Sequence, residues 1–443
     1  MPDSSHRRGG MDWRQIARAL RHRNYRLFFG GQGISLIGTW MTRVATGWLV
    51  YRLTGSAFLL GLVSFASQIP ILILGPFAGV WVDRLNRHRV LVITQILSMF
   101  ESFALAALAL SGNITVTEII LLNLFQGCIN AFDMPARQAF VIEMVEDRAD
   151  LPNAIALNSS LVNAARLVGP SVAGVLIAAV GEGYCFLIDG ISYIAVIASL
   201  LAMTVVASPP RHHDSVSSEL REGWNYISGF RPIRSILLLL ALISLVGMPY
   251  TALMPIFAGK ILHGGAHTFG FLMGAAGVGA LVGAMSLAAR KSVLGLGRLI
   301  PLTAAGFGAS LIAFSASRQV WLSLLLLVVT GFCFMQQMAA SNTILQTISE
   351  DSKRGRVMSF YAMAFQGVAP FGSLTAGAVA SRIGAPLTLG IGGAICILGA
   401  AFFASQLRVI RNLIRPIYAQ MGILPEVAAG INAASVLQEP PEE

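Results

Sequence analysis

The chain has 443 residues, of which 55% are hydrophobic and only 12% are charged. About a quarter of the residues in a soluble domain are charged, so this composition excludes a water-soluble surface over most of the protein. The net charge of +10 comes from basic residues that stand between apolar runs rather than in one basic domain. We therefore interpret them as residues that orient the chain in a membrane and contact its anionic lipids, and we expect no nucleic-acid partner.

Twelve apolar stretches are long enough to cross a bilayer, which takes about 20 residues of α-helix. The first follows a basic segment and is too long for the apolar core of a signal peptide, so we expect it to be a membrane helix. The stretches are 27–51, 57–80, 89–111, 115–135, 153–180, 184–206, 234–257, 268–289, 299–316, 320–345, 357–381 and 386–407. We predict an all-α membrane protein with these twelve spans.

The spans fall into two groups of six, separated by the longest polar connection. We expect a cytoplasmic amphipathic segment over 1–26, six-helix bundles over 27–206 and 234–407, a cytoplasmic linker over 207–233 and a cytoplasmic tail over 408–443. The linker contains a helix-like stretch, Ser217 to Ile227.

The distribution of basic residues predicts the orientation. With the N-terminus inside the cell, 25 of the 31 Lys and Arg residues fall in inner segments, and only Arg52, Lys260, Arg318 and Arg382 fall in outer ones. This bias agrees with the positive-inside rule, and it supports an even number of spans with both termini in the cytoplasm.

The two halves resemble each other around the fifth and eleventh spans. A run ending in Glu146-Asp147 precedes one, and a run ending in Glu350-Asp351 precedes the other. Each of these spans then contains a proline and ends at a glycine; these residues are Pro170 and Pro370, and Gly181 and Gly384. A parallel repeat of two bundles is typical of transporters that rock around a central site.

Charges inside spans are costly and usually functional. Four lie in the first half and are our candidates for coupling transport to an ion: Arg43, Glu101, Arg166 and Asp189. Counting residues from the span ends places Glu101 level with Arg166, and Arg43 level with Asp189, so we hypothesise pairing within these sets. A static structural pair is an equally good interpretation of each.

The connection between the second and third spans reads Gly79-Val-Trp-Val-Asp83-Arg84-Leu-Asn-Arg87-His-Arg89. Asp133 and Arg137, four residues apart on one helical face, lie at the inner end of the fourth span. The charges of this connection could simply orient the chain. They could also act as a conformational latch, a group of residues that holds one transport state: Gly79, Asp83, Arg84, Arg87, Arg89, Asp133 and Arg137.

This connection resembles the signature loop of the major facilitator superfamily. Further runs resemble its enterobactin-exporter-like members, the transmembrane secretion effectors that export drugs and siderophores; among them are Asn24-Tyr-Arg-Leu-Phe28, Phe132-Asp-Met-Pro-Ala-Arg-Gln-Ala-Phe140 and Arg354-Gly-Arg-Val-Met-Ser359. The resemblance extends from about residue 14 to 405, and it implies two six-helix bundles around a central cavity that opens alternately to each side.

The fifth span carries Gly169, Pro170 and Gly174, which resemble the glycine-proline motif of the superfamily's antiporters. The resemblance implies export, although a packing kink is the simpler interpretation. Many proton-coupled members carry an arginine three residues before Gln-Gly in the fourth span, where this chain has Asn123. If a proton is used, the remaining candidates to carry it are Glu101, Asp133 and Asp189.

The second half carries no acid or base away from its span ends, and its spans are rich in Phe and Met. We expect it to offer the ligand an apolar wall. The polar candidates for the substrate cavity are neutral: Asn123, Gln126, Gln336, Gln337 and Gln366.

The four cysteines are far apart and have no histidine near them, so we expect no metal site, disulfide or cofactor. We find no phosphate-binding loop and no assembled catalytic triad, so we expect no enzymatic activity. We predict a monomeric inner-membrane exporter of small amphipathic molecules such as drugs or siderophores, coupled to H+ as an antiporter. An importer of the same superfamily and a lipid or lysophospholipid flippase remain open as alternatives.

Overall fold

The computed structural model describes residues 18–145, 147–204, 216–290 and 292–421, and these ranges contain helices and no strand. The first six long helices are α1 (Arg23–Thr54), α2 (Ala57–Arg84), α3 (Arg87–Leu110), α4 (Val116–Met144), α5 (Leu151–Val180) and α6 (Glu182–Leu201). A helix in the linker, α7, covers Val216–Gly229 and confirms the helix predicted from Ser217 to Ile227.

The remaining helices are α8 (Arg231–Leu242 and its continuation to residue 261), α9 (Ala266–Ala288), α10 (Leu296–Ala316), α11 (Val320–Ile348), α12 (Arg354–Ala362 and its continuation to residue 383), α13 (Ala385–Ser405) and α14 (Leu407–Gln420). Both α8 and α12 are continued through π-helical turns, which are Ile243–Gly247 and Phe257–Ile261 in α8 and Met363–Gly367 in α12. The second parts of these helices are Tyr250–Ile256 and Ala369–Ile383.

Ten helices of the described residues are long and apolar enough to cross a membrane. Two predicted spans, 27–51 and 357–381, are not among them. The first corresponds to α1 and the second to α12, and in both of them apolar residues are interspersed with glycine and polar residues. Both are helical where the sequence predicts a span, so twelve crossings remain a prediction that rests on ten apolar helices and these two.

Proline explains two of the interruptions. Pro370 has no N–H and cannot donate to the carbonyl four residues before it, which lies in the π-helical turn Met363–Gly367. Pro249 stands in the same relation to the turn Ile243–Gly247. Such turns widen a helix locally and are frequent at functional sites. The hydroxyl of Ser244 donates to the carbonyl of Phe365, so the two turns contact each other.

The fourth helix is longer than predicted. The sequence predicts 115–135 for this span, whereas α4 continues to Met144. Its extra turns bury Phe140, Val141 and Met144 in an apolar cluster with residues of the first helix, among them Tyr25 and Phe28. This amphipathic continuation carries charges, so hydropathy alone ends the span too early.

The internal repeat has a structural counterpart at two helix ends. Gly181 follows α5 with φ of +91°, and Gly384 follows α12 with φ of +86°. Residues other than glycine rarely adopt a backbone conformation with such a positive φ. Glycine therefore allows a tight turn into the next helix at both places. Pro170 lies within a continuous helix, whereas Pro370 follows a π-helical turn.

Contacts divide the chain into two compact units, one formed by Met1–Leu49 and Ile73–His212 and the other by Val50–Leu72 and His213–Glu443. The segment Val50–Leu72 belongs to the second unit because α2 packs on α12 there: the rings of Phe65 and Phe371 lie 5.8 Å apart. The domain boundaries predicted from the sequence therefore remain predictions.

In the second unit, the linker helix α7 is held against the first part of α12. Glu222 Oε2 forms an ion pair with Arg356 Nη1 at 2.5 Å and lies 3.7 Å from Lys353 Nζ. The ring of Trp224 lies 6.2 Å from that of Phe360. Arg356 belongs to the Arg354–Ser359 run that resembles the efflux family, and this contact is its structural role here.

Candidate functional site

Two carboxyl groups are buried together inside the first unit. Glu101 on α3 and Asp189 on α6 are 5% and 2% exposed. The hydroxyl oxygen of Ser102 lies 3.1 Å from Asp189 Oδ2 and 3.4 Å from Glu101 Oε2. Glycine lets the two helices approach: a Cβ atom built at Gly190 would lie only 2.7 Å from the ring of Phe103. Helix α3 and helix α6 therefore bring two acids to a single hydroxyl group.

Asp189 is also contacted from α1. The hydroxyl group of Thr42 donates a hydrogen bond of 2.8 Å to Asp189 Oδ2. One turn earlier, a Cβ atom built at Gly38 would lie 2.5 Å from Asp189 Oδ1, so only glycine lets α1 come this close. Within the described part of the chain, Oδ1 is buried and accepts no hydrogen bond. Asp189 thus has an unused acceptor where the three helices meet.

The two arginines within predicted spans of the first unit, Arg43 and Arg166, lie beside one tryptophan and form no ion pair with these acids. The guanidinium carbons of Arg43 and Arg166 lie 4.8 Å and 5.7 Å from the centre of the Trp40 ring, within the range of cation–π attraction. Arg43 is exposed, and Arg166 and Trp40 are half-buried.

The pairing hypothesised from depth is wrong. Among the described residues, no ion pair joins Glu101 to Arg166 or Arg43 to Asp189. Counting along a span gives depth but not the direction in which a side chain points. On α1, Gly38 and Thr42 face Asp189, whereas Arg43 lies on a different face of the helix, with the Trp40 ring.

The glycine-proline motif of α5 fixes the position of α1. A Cβ atom built at Gly169 would lie 2.5 Å from Trp40 Cβ and 3.1 Å from the carbonyl oxygen of Ile37. Pro170 and Gly174 are buried beside it. Because Pro170 cannot donate, the carbonyl of Arg166 loses its helical partner. The motif therefore packs the Trp40 segment of α1 directly on α5, one turn from Arg166.

A row of buried polar side chains runs along α3. Its members are Thr94, Gln95, Ser98, Glu101 and Ser102, all at most 5% exposed. At one end, Thr94 and Gln95 donate to Asp133 Oδ1 of α4 at 2.9 Å and 2.7 Å. Asp133 also forms an ion pair with Arg137, as their spacing predicts.

Two amides of this region have unused acceptors. Gln126 donates to Ser98 at 3.1 Å, but its Oε1 is buried and accepts no hydrogen bond from the described residues, and the same holds for Oε1 of Gln95. Asn123, in contrast, donates to the carbonyl of Ile119 in its own helix. Buried acceptors without donors are the positions at which water molecules are usually bound.

The predicted latch residues are only partly brought together. Arg87 pairs at 2.6 Å with Glu143, which links the start of α3 to the end of α4. Arg84 and Arg89 are exposed, and a Cβ atom built at Gly79 would meet nothing within 4 Å in the described structure. The side chain of Asp83 lies outside the described residues.

Glu143 is a partner that the sequence analysis missed. It lies in the run before the fifth span that we noted only as part of the repeat. Only the continuation of the helix past residue 135 would have found it, because that continuation places Glu143 beside Arg87 at the start of α3.

The polar residues predicted in the second unit do not form one site. Gln337 is fully buried and donates to Ser341 of its own helix, and Gln336 donates to Ser286 of α9. Gln366 is exposed in the π-helical turn of α12, a different helix from α11, which carries Gln336 and Gln337.

Aromatic side chains of the second unit instead form a continuous row. The ring of Phe307 lies 6.3 Å from Tyr250 and 5.7 Å from Phe334, which in turn lies 5.9 Å from Phe365. Phe334 is only 2% exposed, so it belongs to the packed core rather than to an open wall. The row links α8, α10, α11 and α12.

The described residues contain no group of three or more His, Cys, Asp or Glu side chains placed to hold a metal ion, and the four cysteines are free. What the first unit offers chemically is an isolated acid pair on one side of α1 and two cations on the other.

The fold is that of a transporter of the major facilitator superfamily. A bacterial homolog of the human lysosomal transporter Spinster superposes with a TM-score of 0.67 at 14% identity, over 91% of this chain and 99% of that one. A POT family transporter superposes with a TM-score of 0.68 at 11% identity, over 88% of this chain and 96% of that one.

The family model for transmembrane secretion effectors matches residues 17–417, so the chain belongs to this family of membrane transporters. It is 25% identical over 382 residues to the staphyloferrin A transporter of Staphylococcus aureus, covering 86% of this chain and 96% of that protein. It is 28% identical over 398 residues to the multidrug efflux pump Tap of Mycolicibacterium fortuitum, covering 86% and 95%. The resemblance seen in the sequence is confirmed.

Proposed function

We propose that this transporter is a secondary active exporter that moves small amphipathic molecules, such as drugs or siderophores, out of the cell in exchange for protons. It works by alternating access, as a monomer in the inner membrane with both termini in the cytoplasm. Relatives that are a siderophore transporter and a multidrug efflux pump support export of such molecules. The glycine-proline motif of α5, which packs on α1, also supports export, because it resembles the motif of the superfamily's antiporters.

The observation that carries proton coupling is the acid pair. A hydroxyl has one proton to donate, so Ser102 can donate to only one of the two carboxylates. Both contacts are hydrogen bonds at once only if one acid is protonated and donates to the Ser102 oxygen. Neither acid has a basic partner within 4 Å among the described residues. Buried carboxyls of this kind mark proton relays in transporters.

The charged groups at the predicted cytoplasmic end form the latch in this proposal. The Asp133–Arg137 pair is anchored to α3 through Thr94 and Gln95, and the Arg87–Glu143 pair joins the same two helices. These contacts would hold the ends of α3 and α4 together while one state persists. The buried row on α3 extends from this latch, at Thr94 and Gln95, to the acid pair, at Glu101 and Ser102.

The test is dye uptake by inside-out vesicles from cells that express the full chain. An exporter accumulates dye in such vesicles when their interior is acidified, and an uncoupler abolishes the accumulation. We expect Asp189→Asn and Glu101→Gln to lose gradient-driven uptake at wild-type expression. Glu118→Gln is the matched control, because Glu118 is a capping residue at the start of α4 and glutamine preserves the capping box.

Three results would contradict parts of the proposal. Uptake that an uncoupler leaves unchanged would exclude proton coupling. Accumulation by right-side-out vesicles alone would identify an importer. Movement of a labelled phospholipid without any dye transport would identify a flippase. The second unit has no buried acid or base among its described residues, and such an apolar unit suits an acyl chain.

A further inference from the structure

The two arginines that share Trp40 are cations without an anionic partner among the described residues. Arg43 and Arg166 form neither a hydrogen bond nor an ion pair with any described residue. Both contact the same indole ring instead. The buried carboxyls at similar depth, Glu101 and Asp189, are engaged with Ser102 and Thr42.

The exposure of these arginines argues against a purely structural role. Arg43 is exposed and Arg166 half-buried, although both lie within predicted spans. An unpaired guanidinium facing hydrocarbon is very costly, so such groups usually face a water-filled cavity. The Arg43 side of α1 therefore borders space that water and a solute reach.

The backbone holds this group in place. Gly169 packs against Trp40 Cβ, and Arg166 stands one turn before it on α5. Trp40 and Arg43 are three residues apart on α1 and so share a face. A rigid indole ring with two guanidinium groups beside it is a platform with defined positive charge.

We infer that Trp40, Arg43 and Arg166 form the substrate site for an amphipathic organic anion that carries carboxylate groups and a flat ring. The planar guanidinium fork matches a carboxylate with two parallel hydrogen bonds, and the indole face offers stacking. This inference rests on the proposed transport function and names its substrate class. It adds a charged site to the apolar wall that we expected the ligand to meet, and it assigns two of the coupling candidates, Arg43 and Arg166, to substrate binding.

The direction of transport agrees with this charge. The cell interior is electrically negative, so the membrane potential drives an anion outward. An exporter with a cationic site in its spans gains this force in addition to any exchange for protons.

The experiment compares two dyes with the same xanthene rings and opposite charge, fluorescein and a rhodamine cation. Binding to the purified full chain in lipid nanodiscs is followed by fluorescence anisotropy at one fixed, mildly alkaline pH. We expect fluorescein to bind at least about tenfold more tightly, and added salt to weaken it. Arg43→Gln and Arg166→Gln should each weaken the binding of fluorescein by about tenfold or more, and they should leave the binding of the rhodamine unchanged or make it tighter.

Controls separate charge from folding. Arg382→Gln removes an exposed cation at the far end of α12 and should bind both dyes as wild type. Arg43→Lys keeps the charge but loses the planar guanidinium group. Its affinity for fluorescein should lie between those of the wild type and Arg43→Gln. If the glutamine variants fail to fold, the dye preference of the wild type and the effect of salt on its binding still test the anion site.

Tighter binding of the rhodamine, or fluorescein binding that survives both glutamine substitutions, would overturn the inference. Failure of the proposed function looks different, since no dye would then show uncoupler-sensitive flux. Uncoupler-sensitive flux with no preference for the anion would leave export standing and remove only the anion site.

Discussion

Thr42 donates a hydrogen bond of 2.8 Å to Asp189, while its neighbour Arg43 lies over the Trp40 ring. Consecutive residues on a helix point about 100° apart, so α1 separates an acid-facing side from a cation-bearing side. The proposed proton site and the proposed substrate site therefore contact the same helix. A hydrogen bond to a carboxylate is stronger than one to a neutral carboxyl group, so protonation of Asp189 would weaken the bond that holds α1 through Thr42.

The first prediction concerns that hydrogen bond. Thr42→Val keeps the shape of the side chain and removes the donor, so the carboxylate form of Asp189 loses one of its two hydroxyl contacts. We expect gradient-driven dye uptake to fall by roughly tenfold, the scale of one hydrogen bond to a charged group. Thr42→Ser retains the donor and should transport nearly as wild type. Equal uptake by the valine and serine variants would show that the bond has no role in transport.

The second prediction concerns the packing of α5 on α1. Gly169→Ala places a Cβ against Trp40 Cβ and the carbonyl of Ile37, neither of which can rotate away. Overpacking costs about 1–3 kcal/mol and should outweigh the helix-propensity gain of about 1 kcal/mol. The thermal unfolding midpoint in detergent should fall.

Gly30→Ala is the control on α1, because a Cβ atom there would meet nothing within 4 Å. It should leave the unfolding midpoint unchanged or raise it. A Gly169→Ala protein as stable as the wild type would mean that α1 and α5 do not pack this closely.

The third prediction concerns the ion pair between Arg87 and Glu143. Their side chains are only 14% and 12% exposed, so the pair is poorly screened. A double-mutant cycle with Arg87→Gln and Glu143→Gln should give a coupling free energy of about 1–3 kcal/mol in thermal unfolding. The exposed pair Arg354–Asp351 should give less than about 0.5 kcal/mol. Similar coupling in both pairs would argue against a structural link between α3 and α4.

Much of this structure could be predicted from the sequence. Length and hydropathy locate the helices, since the backbone polar groups of an apolar run can be satisfied in lipid by a helix. Gly181 and Gly384 mark turns that glycine makes most easily, and Asp133 pairs with Arg137 because four residues make about one helical turn. The resemblance of the signature loop indicates the superfamily.

The arrangement around each helix axis could not be predicted. Pairing Glu101 with Arg166 failed because depth says nothing about which neighbour a side chain faces. On α1, apolar, glycine and polar residues are spread over all faces, so no pattern shows that Thr42 and Arg43 have different partners. Glu143 was hidden because α4 remains helical after its apolar residues end.

The most direct test of proton coupling through the buried acids separates exchange from net transport. Purified protein in liposomes can exchange dye across a membrane at equal pH, and it can accumulate dye when a pH gradient is imposed. If the buried acids carry the coupling proton, Asp189→Asn should keep dye exchange and lose gradient-driven accumulation. Accumulation by Asp189→Asn at the wild-type level, with the same dependence on the gradient, would contradict this mechanism.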